Sequence, residues 1–207
     1  MLFEKNKAIF VHIPKTGGSS LEYAICSNLL KTDINVEEKA YESFSIRGGK
    51  MGIQKLTPKG HTHSYISEYS QFVDLGDYLK FCVLRNPFDQ VRSLYTQMKK
   101  PMSIPSLEHF IMADDQRSMR ILDHYIDQHK YTHINDQLFI DKVFTFDRYA
   151  EAQYFVENYF NIQIDRNKKL WPTKYTSEIF TPEMTEKFKS VYYKSIELYN
   201  RFSSSRI

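Results

Sequence analysis

The chain lacks most of the features that would assign it a class at once. Two cysteines stand among 207 residues. Cys26 and Cys82 each lie inside an apolar run, one read as helix and one as strand, so two reduced, buried thiols are expected and not a disulfide framework. No apolar stretch approaches the roughly 20 residues of a membrane-spanning helix. Met1 to Lys7 lacks a signal peptide's order of charge and apolar core. A complete, soluble, cytoplasmic protein is therefore expected. Charge of one sign is missing too. Lys and Arg number 28 against 25 Asp and Glu, a net of +3, which makes no general case for nucleic acid or a membrane surface as partner. His109, His124, His129 and His133 are scattered without metal-ligand spacing, so no metal site is expected. Repeats and low-complexity segments are absent.

What is present is apolar material for a core, with 42% hydrophobic and 15% aromatic residues. The length suits a single domain spanning 1–207. The pattern predicts a strand over 7–12, a helix over 19–31 and a variable section over 32–57 that contains the basic turn Arg47-Gly48-Gly49-Lys50. A helix near 65–73 and a strand from Tyr78 to Arg85 follow. Asn86-Pro87 breaks that strand, and Pro87 suits a helix's first turn. The next helix runs from Phe88, with Val91, Leu94, Tyr95 and Met98 on its core face. Helical patches near 105–114 and 115–127 precede a strand from Lys142 to Phe146. Asp147 reads as the cap of a helix over 148–159. A polar, basic loop over 161–175 leads to a final helix opened by Thr181-Pro182 and ending near Arg201. Strands alternating with helices predict an α/β fold with a central parallel sheet wrapped on both faces.

Residues 8–20, Ala-Ile-Phe-Val-His-Ile-Pro-Lys-Thr-Gly-Gly-Ser-Ser, carry the most chemistry. A buried strand runs through a glycine turn into a helix start. The first amides of a helix have no internal acceptors, and its dipole favours negative charge there. Gly17 and Gly18 allow close backbone approach. Lys15, Thr16, Ser19 and Ser20 add a cation and three hydroxyls. A phosphorylated or sulfated ligand is expected on this loop, with His12 orienting it by a hydrogen bond. The order is not that of a Walker A loop, because the lysine precedes the glycine pair. No acidic residue placed to hold Mg²⁺ ends an apolar strand; the strand at 78–85 ends in Arg85. A kinase uses a metal to neutralise a triphosphate, whereas a phosphosulfate carries less charge and can rely on lysine, hydroxyls and amides.

His12-Ile-Pro-Lys-Thr-Gly-Gly-Ser-Ser20 resembles the phosphosulfate-binding loop of the P-loop sulfotransferases, and most nearly the carbohydrate branch that includes heparan sulfate 2-O-sulfotransferase. Val83-Leu-Arg-Asn-Pro-Phe-Asp-Gln-Val-Arg-Ser-Leu-Tyr95 resembles the same family's second element, a strand ending in arginine and a helix carrying serine. The resemblance implies a three-layer P-loop-type fold and the donor 3′-phosphoadenosine 5′-phosphosulfate (PAPS), with adenosine 3′,5′-bisphosphate (PAP) as product. It implies that Arg85 and Ser93 hold the donor's 3′-phosphate. Arginine is suited to bidentate phosphate contact. Arg92 either reinforces that field or points to solvent. Gly60-His61 matches the branch's Gly-His, which makes His61 the implied base. His63 lies two residues on, as an alternative base or a substrate contact. The acceptor implied is a hydroxyl on a saccharide or glycolipid.

Two other classes fit parts of this pattern. One is a PAPS- or PAP-binding protein without transfer, and the other a P-loop kinase for a small metabolite. Arg166, Lys168, Lys169 and Lys174 read either as a solvated charge run or as a lid over the donor, as late basic loops in the family do.

Overall fold

The computed structural model describes residues 1–29, 63–113, 115–166 and 178–204. The chain divides into two compact units, Met1–Leu84 with Lys130–Trp171 and Arg85–His129 with Pro172–Ile207.

The first unit is built on a four-stranded sheet in the order β1-β2-β3-β6. The strands are β1 (Leu2–Phe3), β2 (Ala8–Val11), β3 (Leu79–Leu84) and β6 (Lys142–Thr145). β2, β3 and β6 are parallel, with Val11 opposite Cys82 and Leu84 opposite Thr145. The expected parallel sheet thus has one antiparallel edge, because β1 pairs with β2 through Leu2–Ile9 and Phe3–Ala8. β4 (His133–Ile134) and β5 (Gln137–Leu138) form a separate small hairpin. Helix α1 (Gly18–Leu29) and helix α7 (Tyr149–Phe160) pack on the sheet. Ala8, Phe10, Phe81 and Val83 meet Leu21, Ile25, Ala152, Val156 and Phe160 in one core. Phe10 and Phe81 are register partners and their rings stack at 5.0 Å. Ile9, Val11, Cys82 and Leu84, on alternate positions, are also wholly buried, so both faces of the central strands are covered. This explains their near-continuous apolar runs.

Lys80 interrupts the run in β3 and is nearly buried. Its ammonium donates to the Leu75 and Tyr78 carbonyls at 2.9 and 2.8 Å and pairs with Asp141 at 2.9 Å, which is how a cation is tolerated there. Both cysteines are buried and unlinked, and burial pushes both thiols well up. The short helix α2 (Ile66–Tyr69) is one turn where residues 65–73 predicted a longer one. A 3₁₀ turn over Leu75–Asp77 follows it, in a stretch that carries Gly76.

The second unit is helical: α3 (Pro87–Met98), α4 (Leu107–Met112), α5 (Gln116–Ile126), the start of α6 (Gln128–Thr132), and α8 (Pro182–Ser203). Its core gathers Val91, Leu94, Tyr95, Leu107, Phe110, Leu122, Ile126, Met184 and Phe188. The local signals at its helix starts hold. Asn86 accepts from the Phe88 amide at 3.0 Å with Pro87 in the first turn, and Thr181 accepts from the Met184 amide at 3.2 Å. Asp147 does not cap α7. It lies inside a 3₁₀ turn, Phe146–Arg148, and the residue before α7 is Arg148, which makes no side-chain cap.

Glu178 ties this unit together. One carboxylate oxygen accepts from the Tyr95 hydroxyl at 2.8 Å and the Lys99 ammonium at 3.4 Å, and the other accepts from the Leu107 amide at 2.6 Å. Partial burial pushes its acidity the other way, but the Leu107 amide, the Tyr95 hydroxyl and the Lys99 charge outweigh it and hold the carboxyl below the usual range. A carboxyl lowered on folding stabilises above its unfolded pKa, and that stability fades as pH falls through the folded value. Glu178→Gln should cost about 1–2 kcal/mol at neutral pH and flatten the loss of stability below about pH 4–5, read by urea unfolding across pH. An unchanged acid limb would remove Glu178 from this role.

Candidate anion-binding loop and its supports

β2 ends at Val11, and the buried His12, Ile13 and Pro14 carry the chain to Lys15. Lys15 is left-handed, at φ 63°, and Gly17 is too, at φ 85°. A lysine held there costs of order 1–2 kcal/mol, so tertiary contacts must impose the shape. Gly18 opens α1. A Cβ at Gly18 would stand 2.1 Å from Cδ2 and 2.4 Å from Nε2 of His12, so only glycine fits over that ring. The ring is held from below and behind. His12 Nδ1 donates to Glu22 of α1 at 3.0 Å, with both side chains at 2% exposure or less, and its face stacks on Phe10 at 5.6 Å. The strand end and the second turn of the helix are thus joined through one imidazole.

A second wall stands over Gly17. Its Cβ would come within 2.9 Å of the Tyr149 ring and 3.0 Å of Phe146. The Tyr149 hydroxyl donates to the Gly17 carbonyl at 2.8 Å, and burial keeps that hydroxyl protonated by pushing its pKa up. Thr16 is wholly buried and its hydroxyl donates to the Ile13 carbonyl at 2.8 Å. Its proton is spent inside the loop, which corrects the expectation of three hydroxyls facing a ligand. Ser19 and Ser20 lie partly exposed on the first turn of α1, and the Ser20 amide donates to the Gly17 carbonyl at 3.1 Å.

His61 lies outside the described residues, as do the basic turn at 47–50 and Lys168, Lys169 and Lys174. His63 is described, and the fold brings it to the loop. Its Nδ1 donates to the His12 carbonyl at 3.1 Å, and its ring meets that of His12 edge-on at 4.5 Å. An Nδ1–H given to a carbonyl leaves the lone pair of a neutral imidazole on Nε2. Arg166 pairs with Glu157 of α7 and covers the Tyr154 ring at 4.3 Å.

Arg85 and Ser93 belong to the second unit. Arg85 follows the last residue of β3. Both of its backbone groups are taken by one side chain: its amide donates to Gln128 Oε1 at 3.0 Å, and Gln128 Nε2 donates to its carbonyl at 2.7 Å. Gln128 is fully buried and mimics the next strand's backbone. Ser93 is fully buried in α3, and its hydroxyl makes no hydrogen bond among the described residues. Arg92 pairs with Asp89 at 3.2 Å and lies over the Phe180 ring. In the first unit Thr145, at the end of β6, also buries a hydroxyl with no partner among the described residues. Buried hydroxyls are normally paired, and a phosphate or sulfate oxygen would satisfy either.

Sequence reasoning passed over Glu22, Gln128, Tyr149 and Thr145. Only the first could have been suspected, as the acid four residues into a helix that follows a histidine-ended strand. Among the described residues no three His, Cys, Asp or Glu side chains are placed to hold a metal ion, and no helix is long and apolar enough to cross a membrane.

No family model matches the chain, and no curated protein matches it. A solved structure, a sulfotransferase from Alicyclobacillus acidocaldarius, is similar over 97% of this chain and 97% of its own, with 13% identity and a TM-score of 0.42. At that distance the likeness assigns no role to any residue here.

Gly18→Ala should cost about 1–3 kcal/mol or more through the collision with His12, read by urea unfolding. A neutral effect would show that the His12 ring is not fixed.

Proposed function

We propose that the chain is a sulfotransferase that moves a sulfuryl group from PAPS to an acceptor hydroxyl, with a carbohydrate as the acceptor class. One observation carries the reading. A buried parallel strand runs through a left-handed lysine and two glycines, both crowded by aromatic or imidazole rings, straight into a helix N-terminus. That is an arrangement for bringing backbone amides and one cation up to an oxyanion.

In this reading Lys15 and the amides of Thr16, Gly17, Gly18 and Ser19 receive the 5′-phosphosulfate, with the hydroxyls of Ser19 and Ser20 beside them. Arg85 and Ser93 receive the 3′-phosphate, and the unpartnered hydroxyl of Ser93 supports this. The acceptor oxygen attacks sulfur in line with the bridging oxygen. The bond from sulfur to that oxygen breaks, its electron pair stays on the departing phosphate of PAP, and Lys15 and the amides stabilise the charge as it grows. A histidine takes the acceptor's proton, a step worth roughly 10²–10⁴-fold. His61 is the base that the family resemblance implies. His63, whose Nδ1 is bonded to the His12 carbonyl at the end of β2, is the alternative base. The two buried, unlinked thiols support a reducing, cytoplasmic setting.

PAP and PAPS should each raise the melting temperature by several degrees with EDTA present, because a ligand bound only by the folded state stabilises it. Stabilisation by Mg-ATP and not by PAP would replace the reading with a kinase. PAPS binding with no sulfated product, by mass spectrometry over a panel of glycans and glycolipids, would leave a binding protein. Lys15→Gly should hold or raise the melting temperature, since it relieves the left-handed backbone, yet lower transfer by about 10²-fold or more. His61→Ala and His63→Ala distinguish the bases, because only the true base removes the ascending acid limb of the pH–rate profile.

A further inference from the structure

The second unit holds a cavity of about 370 Å³ that this reading does not use, between α4, α5 and α8. Its floor is apolar: Ile111, Leu122 and Phe188 line it and are buried. Its mouth is apolar as well. Met119 is 54% exposed and Val191 55%, and both line the opening. Large apolar side chains left in water around a concavity mark a binding surface more often than isolated ones do. Three polar features interrupt this lining. Arg120 lines the cavity, exposed, and makes no ion pair or hydrogen bond among the described residues. Lys187 lines it too and donates to the Met112 carbonyl at 2.8 Å. Among the described lining residues Asp123 is the one acid, so their charges sum to one positive. Tyr192 forms part of the wall at the point where α8 departs from helical geometry, at φ −108° and ψ 25°. It is 7% exposed, and its hydroxyl has no hydrogen-bond partner among the described residues.

We infer that this cavity is a ligand site for a small amphipathic anion, an alkyl or aryl carboxylate whose apolar body covers Leu122 and Phe188 and whose charged end meets Arg120. The volume accommodates roughly a dozen non-hydrogen atoms at about 30 Å³ each, which is the size of a ten-carbon carboxylate. An apolar pocket with few convergent polar groups is the usual form of a small-molecule site, and the Tyr192 hydroxyl supplies a donor that the protein leaves unpaired. The inference stands apart from the sulfuryl-transfer reading.

Titration calorimetry of the full chain with decanoate, decanol and decylamine tests it. Decanoate should bind at least about tenfold more tightly than either, one charge-assisted contact being worth that much. Arg120→Glu should abolish the preference for decanoate over decanol. Val191→Trp and Met119→Trp, both at the exposed rim, should each block decanoate, with circular dichroism and melting temperature confirming the fold. Equal binding of the three probes, no decanoate binding at millimolar concentration, or decanoate binding unchanged in both tryptophan variants that fold would overturn the proposal.

Discussion

The ring of His12 is the part on which the anion loop depends. It lies against the first residue of α1 so closely that no side chain fits there, and its Nδ1 is bound to Glu22 one turn further along the same helix. Burying an imidazole and a carboxylate is costly unless they satisfy each other, and here the pairing also joins the end of β2 to α1. With both ends of the loop held, the residues between have little freedom. Lys15 takes a left-handed backbone that an L-residue adopts only under constraint, and Thr16 turns its hydroxyl back to Ile13. The His12 carbonyl holds His63, so one residue orients the loop, the helix and a candidate base.

Parallel pairing explains why such a loop is placed where it can act. β2, β3 and β6 all run toward the same edge of the sheet, with Val11 opposite Cys82 and Leu84 opposite Thr145. The chain leaving β2 forms the lysine loop, and the chain leaving β6 supplies Phe146 and Tyr149 to its far side. Ligands of open α/β sheets bind outside the carboxyl ends of the strands, because helix N-termini and irregular turns collect there. In the second unit the cost of irregular backbone is met by side chains. Gln128 takes both backbone groups of Arg85, and Glu178 takes the amide that starts α4.

Much of this was legible in the sequence wherever the cause was local. Pro after a capping residue marked the starts of α3 and α8, apolar runs marked β2 and β3, and a lysine–glycine–glycine turn between strand and helix marked the anion loop. Where the cause was distant the sequence misled or was silent. Asp147 looked like a cap, yet the chain makes a 3₁₀ turn through it, with Phe146 packed on Gly17 and Tyr149 bonded to its carbonyl. Thr16 looked like a ligand hydroxyl and is an internal donor. β1 was missed because two residues carry no periodicity; only pairing with Ala8 and Ile9 defines it.

Residue order alone pointed to a candidate anion loop after the apolar run at 8–13, because a helix start, two glycines and a lysine lie within six positions and helix N-termini favour negative charge. Tertiary structure decided which side chains hold the backbone around these candidate residues. Glu22 with His12, His63 with the His12 carbonyl, Gln128 with Arg85 and Tyr149 with Gly17 are pairings across 10 to 132 positions, three of them far beyond one turn or hairpin. Chain separation conceals such contacts, since they form only when burial brings the partners together and leaves each polar group with no water to turn to.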